Sequence, residues 1–253
     1  MNSFITALGF LTRIPIPGNG GNVTTISLSR STIFFPVVGG IIGAVNAGLY
    51  LILEPFLPIS VLAFFMIAVP IFFSGGIHVD GLLDTCDGLF SGRSRERSLE
   101  IMRDSRVGSM GVIAGLLNIL LRYSILTELP GDIIPWLLII QPLTGRWVMS
   151  MALYFFPYAR KEGGLGQGFS EEKSILYVIL SSLFALVISL LISGPAGILI
   201  TLVVGCLSML LAIWVARKIG GLTGDVYGAL NEVSENIFML LWLVGSITFQ
   251  LHL

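Results

Sequence analysis

Charge is scarce in this 253-residue chain: 11% of its residues are Asp, Glu, Lys or Arg, against about 25% in soluble domains. Hydrophobic residues make up 55%, and mean hydropathy is +0.92. That balance excludes a soluble globular fold and predicts an all-α integral membrane protein, a single polytopic domain over residues 1–253. Cysteine is nearly absent. Cys86 and Cys206 offer no disulfide framework, and neither has the Cys/His set around it that zinc requires. A net charge of −1 says nothing about nucleic acid, and none is expected as a partner. No internal repeat and no low-complexity tract is visible. The N-terminus lacks an early basic region, and Arg13, Pro15 and Pro17 interrupt its apolar run, so it does not read as a signal peptide. Phe4, Leu8 and Leu11 recur at helical spacing and predict an amphipathic helix over 2–13, at the membrane surface or against the bundle.

Long apolar runs dominate what is present. A spanning helix needs about 20 mostly apolar residues. The runs that qualify are 33–52, 57–77, 107–126, 133–155, 175–192, 196–215 and 237–253, about seven transmembrane helices. Pro36, Pro70 and Pro142 fall inside these runs and predict kinks or entry turns. The connections around Glu54–Phe56, Leu129–Asp132 and Ser193–Pro195 contain no Lys or Arg. The alternate connections hold nearly all the basic residues: Arg13 and Arg30; Arg93, Arg95, Arg97, Arg103 and Arg106; Arg160, Lys161 and Lys173; Arg217 and Lys218. The positive-inside rule then places the N-terminus in the cytoplasm and the C-terminus outside. A cytoplasmic-membrane location with the lipid bilayer as a partner follows; a homo-oligomer is compatible with the sequence but not read from it.

Charge concentrates in one place. Gly75 to Gly111 carries five arginines and six carboxylates. Asp80, Asp84 and Asp87 are spaced i, i+4, i+7 and share a helix face. Their mutual repulsion calls for a cation, and all-oxygen ligands favour a hard one such as Mg²⁺. The residues between them are mostly Leu, Gly and Cys, unlike a solvated acidic loop. His78 reads either as a further ligand or as a structural hydrogen-bonder. Arg95 and Glu100, with Glu96, read as surface pairs. Arg103, Asp104 and Arg106 abut Gly108 and Gly111, and a helix N-terminus beside glycines is a ready anion site. Asp104 is accordingly a candidate ligand or base, and Arg103 and Arg106 are candidate phosphate contacts.

A second acidic segment, Gly220 to Glu235, places Asp225 and Glu232 on one helix face, with Glu235 off to the side. Thr223 is its candidate cap. We read this segment as a second acidic wall facing the first. Two arginines fall inside spans. Arg146 lies beside Pro142 and Gly145 and is the functional candidate. Arg122 reads as structural, pairing with Glu128 or snorkelling.

Five segments together resemble the adenosylcobinamide-GDP ribazoletransferase (cobalamin synthase) family: FLTRIPIP (10–17), FFPVVGGIIG (34–43), GGIHVDGLLDTCDG (75–88), IMRDSRVGSMGV (101–112) and GGLTGDVYGALNEVSE (220–235). The resemblance covers nearly the whole chain. It implies a polytopic inner-membrane enzyme that joins adenosylcobinamide-GDP to α-ribazole, or to α-ribazole 5′-phosphate, with release of GMP. It implies Mg²⁺ as cofactor. In that setting Asp80, Asp84, Asp87 and Asp104 are expected to hold metal on the diphosphate, and Arg106 and Arg146 to stabilise the leaving phosphate. Asp225 and Glu232 are expected to complete the metal site or bind substrate, and His78 and Arg103 to contact substrate.

Two other readings fit part of the pattern. A membrane prenyltransferase also uses Asp-rich helices and Mg²⁺ on a diphosphate, and Asp80-x-x-x-Asp84 matches a portion of its motif. A cation transporter needs acids near mid-membrane on a path open to both sides, whereas these acids cluster at predicted cytoplasmic ends. The core Asp84-x-x-Asp87-Gly88 also looks like the opening of the CDP-alcohol phosphotransferase signature, whose remainder is not matched.

Overall fold

The computed structural model describes residues 2–15, 24–160, 166–170 and 172–249. Pro17, Lys161 and residues 250–253 of the expected last span lie outside them. Helix is the only regular structure among the described residues, apart from one isolated bridge between Tyr158 and Leu222.

The helices follow the apolar runs. α1 (Ser3–Leu11) is capped by the Asn2 side chain and buries Ala7 and Leu11, so the expected amphipathic helix packs against the bundle. α2 (Thr25–Ser31) leads through a 3₁₀ turn (Thr32–Phe34) into α3 (Phe35–Leu53). Pro36 sits in the first turn of α3, where no amide donor is needed. α4 (Ile59–Ser74) contains Pro70 and is followed by α5 (Ile77–Phe90). α6 (Arg95–Ile101) is short. α7 (Ser109–Glu128) and α8 (Ile134–Phe155) follow, then the single turn α9 (Gln167–Ser170), α10 (Ile175–Ile219) and α11 (Gly224–Phe249).

By length and composition, Thr25–Leu53, Ser109–Glu128 and Ile175–Ile219 are long and apolar enough to cross a membrane, and the α4–α5 pair makes a fourth if it is one broken span. α10 is itself broken. Gly194 has φ 61° and ψ −157°, outside helical geometry, and Pro195 follows it. Thr201 Oγ1 lies 3.0 Å from Ser189 Oγ. Twelve residues of straight helix would hold them about 18 Å apart. The chain therefore doubles back at Gly194 into two antiparallel arms. Leu51, Phe64, Leu117, Leu183, Leu199 and Leu210 are all exposed. In water such a surface is a liability, while in hydrocarbon it is the lipid-facing side.

α8 is the central post and is buried over most of its length. Against it lies α3, whose Gly39 and Gly43 touch the carbonyls of Pro142 and Leu138, where any Cβ would collide. The small-xxx-small spacing permits this approach. Pro142 supplies no amide to Leu138, so the carbonyl it leaves unpaired is the one that faces Gly43. Both arms of α10 flank the same post: Trp147 donates its indole N–H to Ser182 at 2.8 Å, and its ring packs on Gly205.

Candidate active site

The site grows from a bend. Gly75 and Gly76 have φ of 65° and 74°, a left-handed pair that glycine adopts without strain. They turn α5 by 89° from α4, laying the Asp-rich helix across the bundle end instead of along a span. α5 then crosses the start of α11. Gly81 meets the Asp225 backbone, and Gly228 lies against His78. That double glycine crossing brings the two acidic segments together, as expected of facing walls, but only Asp225 of the second wall takes part.

Asp80, Asp84 and Asp225 form the cluster. Burial pushes the Asp84 carboxyl up to about 7, helped by the charges of Asp80, Asp225 and Asp87, and Arg160 pulls it back down. Arg160 donates to Asp225 Oδ2 at 2.6 Å. Thr223 caps α11 through the Val226 amide at 3.3 Å and also donates to Asp225. Asp80 and Asp225 border a cavity of about 410 Å³ whose other walls include His78, Tyr158, Phe169 and Tyr227. Arg160 borders this cavity and also a second one of about 330 Å³, where Arg95 and Arg103 join it and the arginines outnumber two carboxylates, Glu96 and Glu100. An acidic chamber and a basic one therefore meet at Arg160.

Asp87 stands apart from its two helix-mates. Its oxygens accept the amide hydrogens of Gly108 at 2.6 Å and Gly111 at 2.7 Å. The anion site expected at the start of α7 exists, and the protein's own carboxylate fills it. Asp104 is likewise engaged elsewhere. Arg106 grips it at 2.7 Å on the surface and holds its carboxyl down to about 2. The structure pairs Asp104 and Arg106 with each other and does not bring them to Asp84. Arg103, their neighbour in sequence, does reach the basic cavity.

Glu232 and Arg146 belong to a buried network inside the bundle. Arg146 pairs with Glu235, which also receives Arg122 at 3.2 Å. Arg122 further pairs with Glu232 at 3.2 Å, and Asn118 donates to Glu232 at 3.0 Å. Two cations and two anions close on themselves, which is how charge survives burial. Arg122 thus pairs with α11 rather than with Glu128. Glu235, read from sequence as off to one side, is the hub. Arg146 Nη2 also lies 3.4 Å from His78 Nδ1. An arginine can only donate, so His78 accepts there. Burial and the adjacent guanidinium keep the imidazole neutral, and His78 reaches the acidic cavity from this fixed position.

Other basic residues serve the scaffold. Arg95 donates to the carbonyls of Ile219 at 2.7 Å and Ala159 at 3.3 Å, stopping the end of α10. Its expected partner Glu100 pairs instead with Arg97 at 2.7 Å, the i, i+3 neighbour on the same helix face.

Among the described residues, no three His, Cys, Asp or Glu side chains close round a point that would hold a metal ion by themselves. The donors still suit one kind of cation. Asp80, Asp84 and Asp225 offer oxygen only, and Mg²⁺ characteristically takes one or two carboxylates and completes its shell with substrate phosphate and water.

The profile of the family described as Cobalamin-5-phosphate synthase matches residues 3–243. The chain belongs to this family. It is 39% identical over 249 residues to the adenosylcobinamide-GDP ribazoletransferase of Desulfitobacterium hafniense, covering 95% of this chain and 96% of that one. It is 36% identical over 242 residues to the enzyme of the same name from Acetivibrio thermocellus, covering 96% and 97%. With that from Clostridium novyi it shares 37% over 240 residues, covering 95% and 96%. No solved structure matches.

Sequence reasoning missed Arg160, Tyr158 and Tyr227, three walls of the site. Tyr158 and Arg160 lie in an unremarkable connection, and only the pairing of that connection with the start of α11 brings them in. Leu222 donates to Pro157 O at 2.9 Å, and Ala159 to Leu222 O at 2.8 Å.

Proposed function

We propose that this chain joins adenosylcobinamide-GDP to α-ribazole, or to its 5′-phosphate, and releases GMP, in a late step of cobalamin biosynthesis. The observation that carries the reading is the meeting of the Asp80–Asp84–Asp225 cluster with the arginine-rich cavity at Arg160, within a chain matched to this family over residues 3–243.

The acceptor hydroxyl attacks the phosphorus on the cobinamide side of the diphosphate. The bond from that phosphorus to the bridging oxygen breaks, and the electron pair leaves on GMP. Asp80, Asp84 and Asp225 would hold Mg²⁺ against the diphosphate. Mg²⁺ would supply neutralisation of the phosphate charge that builds as the bond changes. One carboxylate of the group takes the hydroxyl proton. Arg103 and Arg160 face the departing phosphate, the role that the sequence had suggested for Arg106 and Arg146. Arg146 acts behind them by fixing His78. Asp87 holds α7 against α5 and so keeps the Asp-rich helix in place.

The finer topology follows the same reading. The two arms of α10, α3, α4, α7, α8 and the apolar part of α11 make seven spans, with the N-terminus and the site on the cytoplasmic side of the membrane. The charge distribution of the connections supports that orientation.

The test is product formation. Purified protein is incubated with adenosylcobinamide-GDP, Mg²⁺ and either acceptor form, and mass spectrometry looks for the cobalamin product and GMP. Absence of both with either acceptor refutes the reading. Turnover of a prenyl diphosphate in their place would favour the prenyltransferase alternative.

A further inference from the structure

Part of the acidic cavity's lining is not used by the phosphate chemistry. Phe10 from α1, Phe169 from α9, Tyr158 and Tyr227 form that part, with Met149 and Leu153 of α8. The rings of Phe10 and Phe169 lie 4.4 Å apart between centroids. Tyr158 and Tyr227 converge on Gly166, where a Cβ would stand 3.0 Å from one ring and 3.3 Å from the other.

Among the described residues the Tyr227 hydroxyl is buried and meets no hydrogen-bond partner, while that of Tyr158 is buried beside the Arg160 guanidinium. The side chain of Tyr227 is almost wholly enclosed, at 3% exposure. Buried hydroxyls are ordinarily paired, and an orphan needs a reason. Here the orphan belongs to a tyrosine that lines the same cavity as Asp80 and Asp225.

We propose that this aromatic part of the lining binds the base of the acceptor nucleoside and that the Tyr227 hydroxyl, with Tyr158 beside it, reads the base. The proposal rests on the transferase reading above. The α-ribazole base is a flat, mostly apolar fused ring with one unsubstituted ring nitrogen, which is an acceptor only. A tyrosine hydroxyl donates to such a nitrogen, and the aromatic walls enclose the ring faces. The ribose attached to that base then points toward Asp80 and Asp225, where its hydroxyl is needed. Guanine is a poorer occupant, because its polar edge of donors and acceptors would meet Phe10, Phe169 and Met149.

The test compares α-ribazole with its indole counterpart, in which the unsubstituted nitrogen is a C–H. A site built to hydrogen-bond an acceptor rejects the analogue that lacks it. The wild-type enzyme should prefer α-ribazole by roughly 10- to 100-fold in kcat/KM. Tyr227→Phe should collapse that ratio toward one, Tyr158→Phe should reduce it, and the KM for adenosylcobinamide-GDP should stay unchanged in both. A Gly166→Val variant, which narrows the cleft, should raise the KM for α-ribazole and leave the donor KM alone. Equal wild-type rates for the two acceptors overturn the proposal while leaving the transferase reading intact. So does an unaltered ratio in an active Tyr227→Phe enzyme, or a change confined to the donor KM. Failure of wild-type enzyme with every acceptor instead strikes the transferase reading itself.

Discussion

Arg160 holds Asp225 at 2.6 Å, and through that ion pair the basic cavity is joined to the acidic one. The guanidinium also counters the repulsion that burial and neighbouring carboxylates impose on Asp84. Removing it has a defined sign. Without Arg160 the Asp84 carboxyl rises above about 7, so a larger share is protonated at neutral pH. Arg160→Gln should therefore move the acid limb of the pH–kcat/KM profile to higher pH. A limb that stays in place, or moves down, contradicts the assignment.

Asp84 also makes a stability prediction. Its carboxyl sits near 7 in the folded protein against an ordinary value of 3.8. A raised acid pKa means that the unfolded chain loses its proton first. Metal-free protein should thus lose stability as pH climbs from about 4 to about 7, and level off above. Asp84→Asn carries no such charge. In chelator its melting temperature should exceed that of wild type by a margin that opens across that window. Added Mg²⁺ should narrow the margin by stabilising the wild type alone.

The buried network gives a contrast between fold and chemistry. Glu235 pairs with both Arg122 and Arg146. Glu235→Ala leaves two enclosed guanidinium groups short of a counter-charge, a loss of about 3–5 kcal/mol. Thermal unfolding in detergent should show this as a large drop in melting temperature, together with poor recovery of folded protein.

Much of this architecture was legible in advance. The apolar runs located the helices. The i, i+4 pair Asp80 and Asp84 marked the helix that carries the candidate site. Asp87 shows where legibility ended. Its spacing puts it on the same face, yet its carboxylate serves the amides of Gly108 and Gly111. Periodicity reports direction around one helix axis and is silent about which neighbouring helix begins there. Glu232 and Glu235 show the same limit, because their partners Arg122 and Arg146 lie on two other helices. Arg160 carried no signal beyond its charge. Its place depends on a connection that pairs with Leu222 across more than sixty residues of chain.

The division between Arg103 and the Asp104–Arg106 pair can be measured directly. Arg103 borders the basic cavity, while Asp104 and Arg106 hold each other at the surface. Arg103→Gln should raise the KM for adenosylcobinamide-GDP or lower kcat by roughly 10-fold or more, the usual scale for a lost charge-assisted phosphate contact. Arg106→Gln and Asp104→Asn should each cost less. A larger loss at Asp104 or Arg106 than at Arg103 would mean that the α6–α7 connection closes over the substrate.

Packing at α8 is open to a similar measurement. Gly43→Val forces a branched side chain against the Leu138 carbonyl. The expected cost is about 1–3 kcal/mol, read as a lower melting temperature with catalytic constants little changed in the protein that remains folded.

The most direct measurement of the central claim is turnover by Asp84→Asn protein that is shown to be folded and correctly inserted. Adenosylcobinamide-GDP, α-ribazole and Mg²⁺ are supplied together, and GMP and cobalamin are quantified beside wild type. The carboxylate cluster predicts full activity in the wild type and none in the variant. Wild-type activity in Asp84→Asn would show that the reaction takes place elsewhere in the molecule.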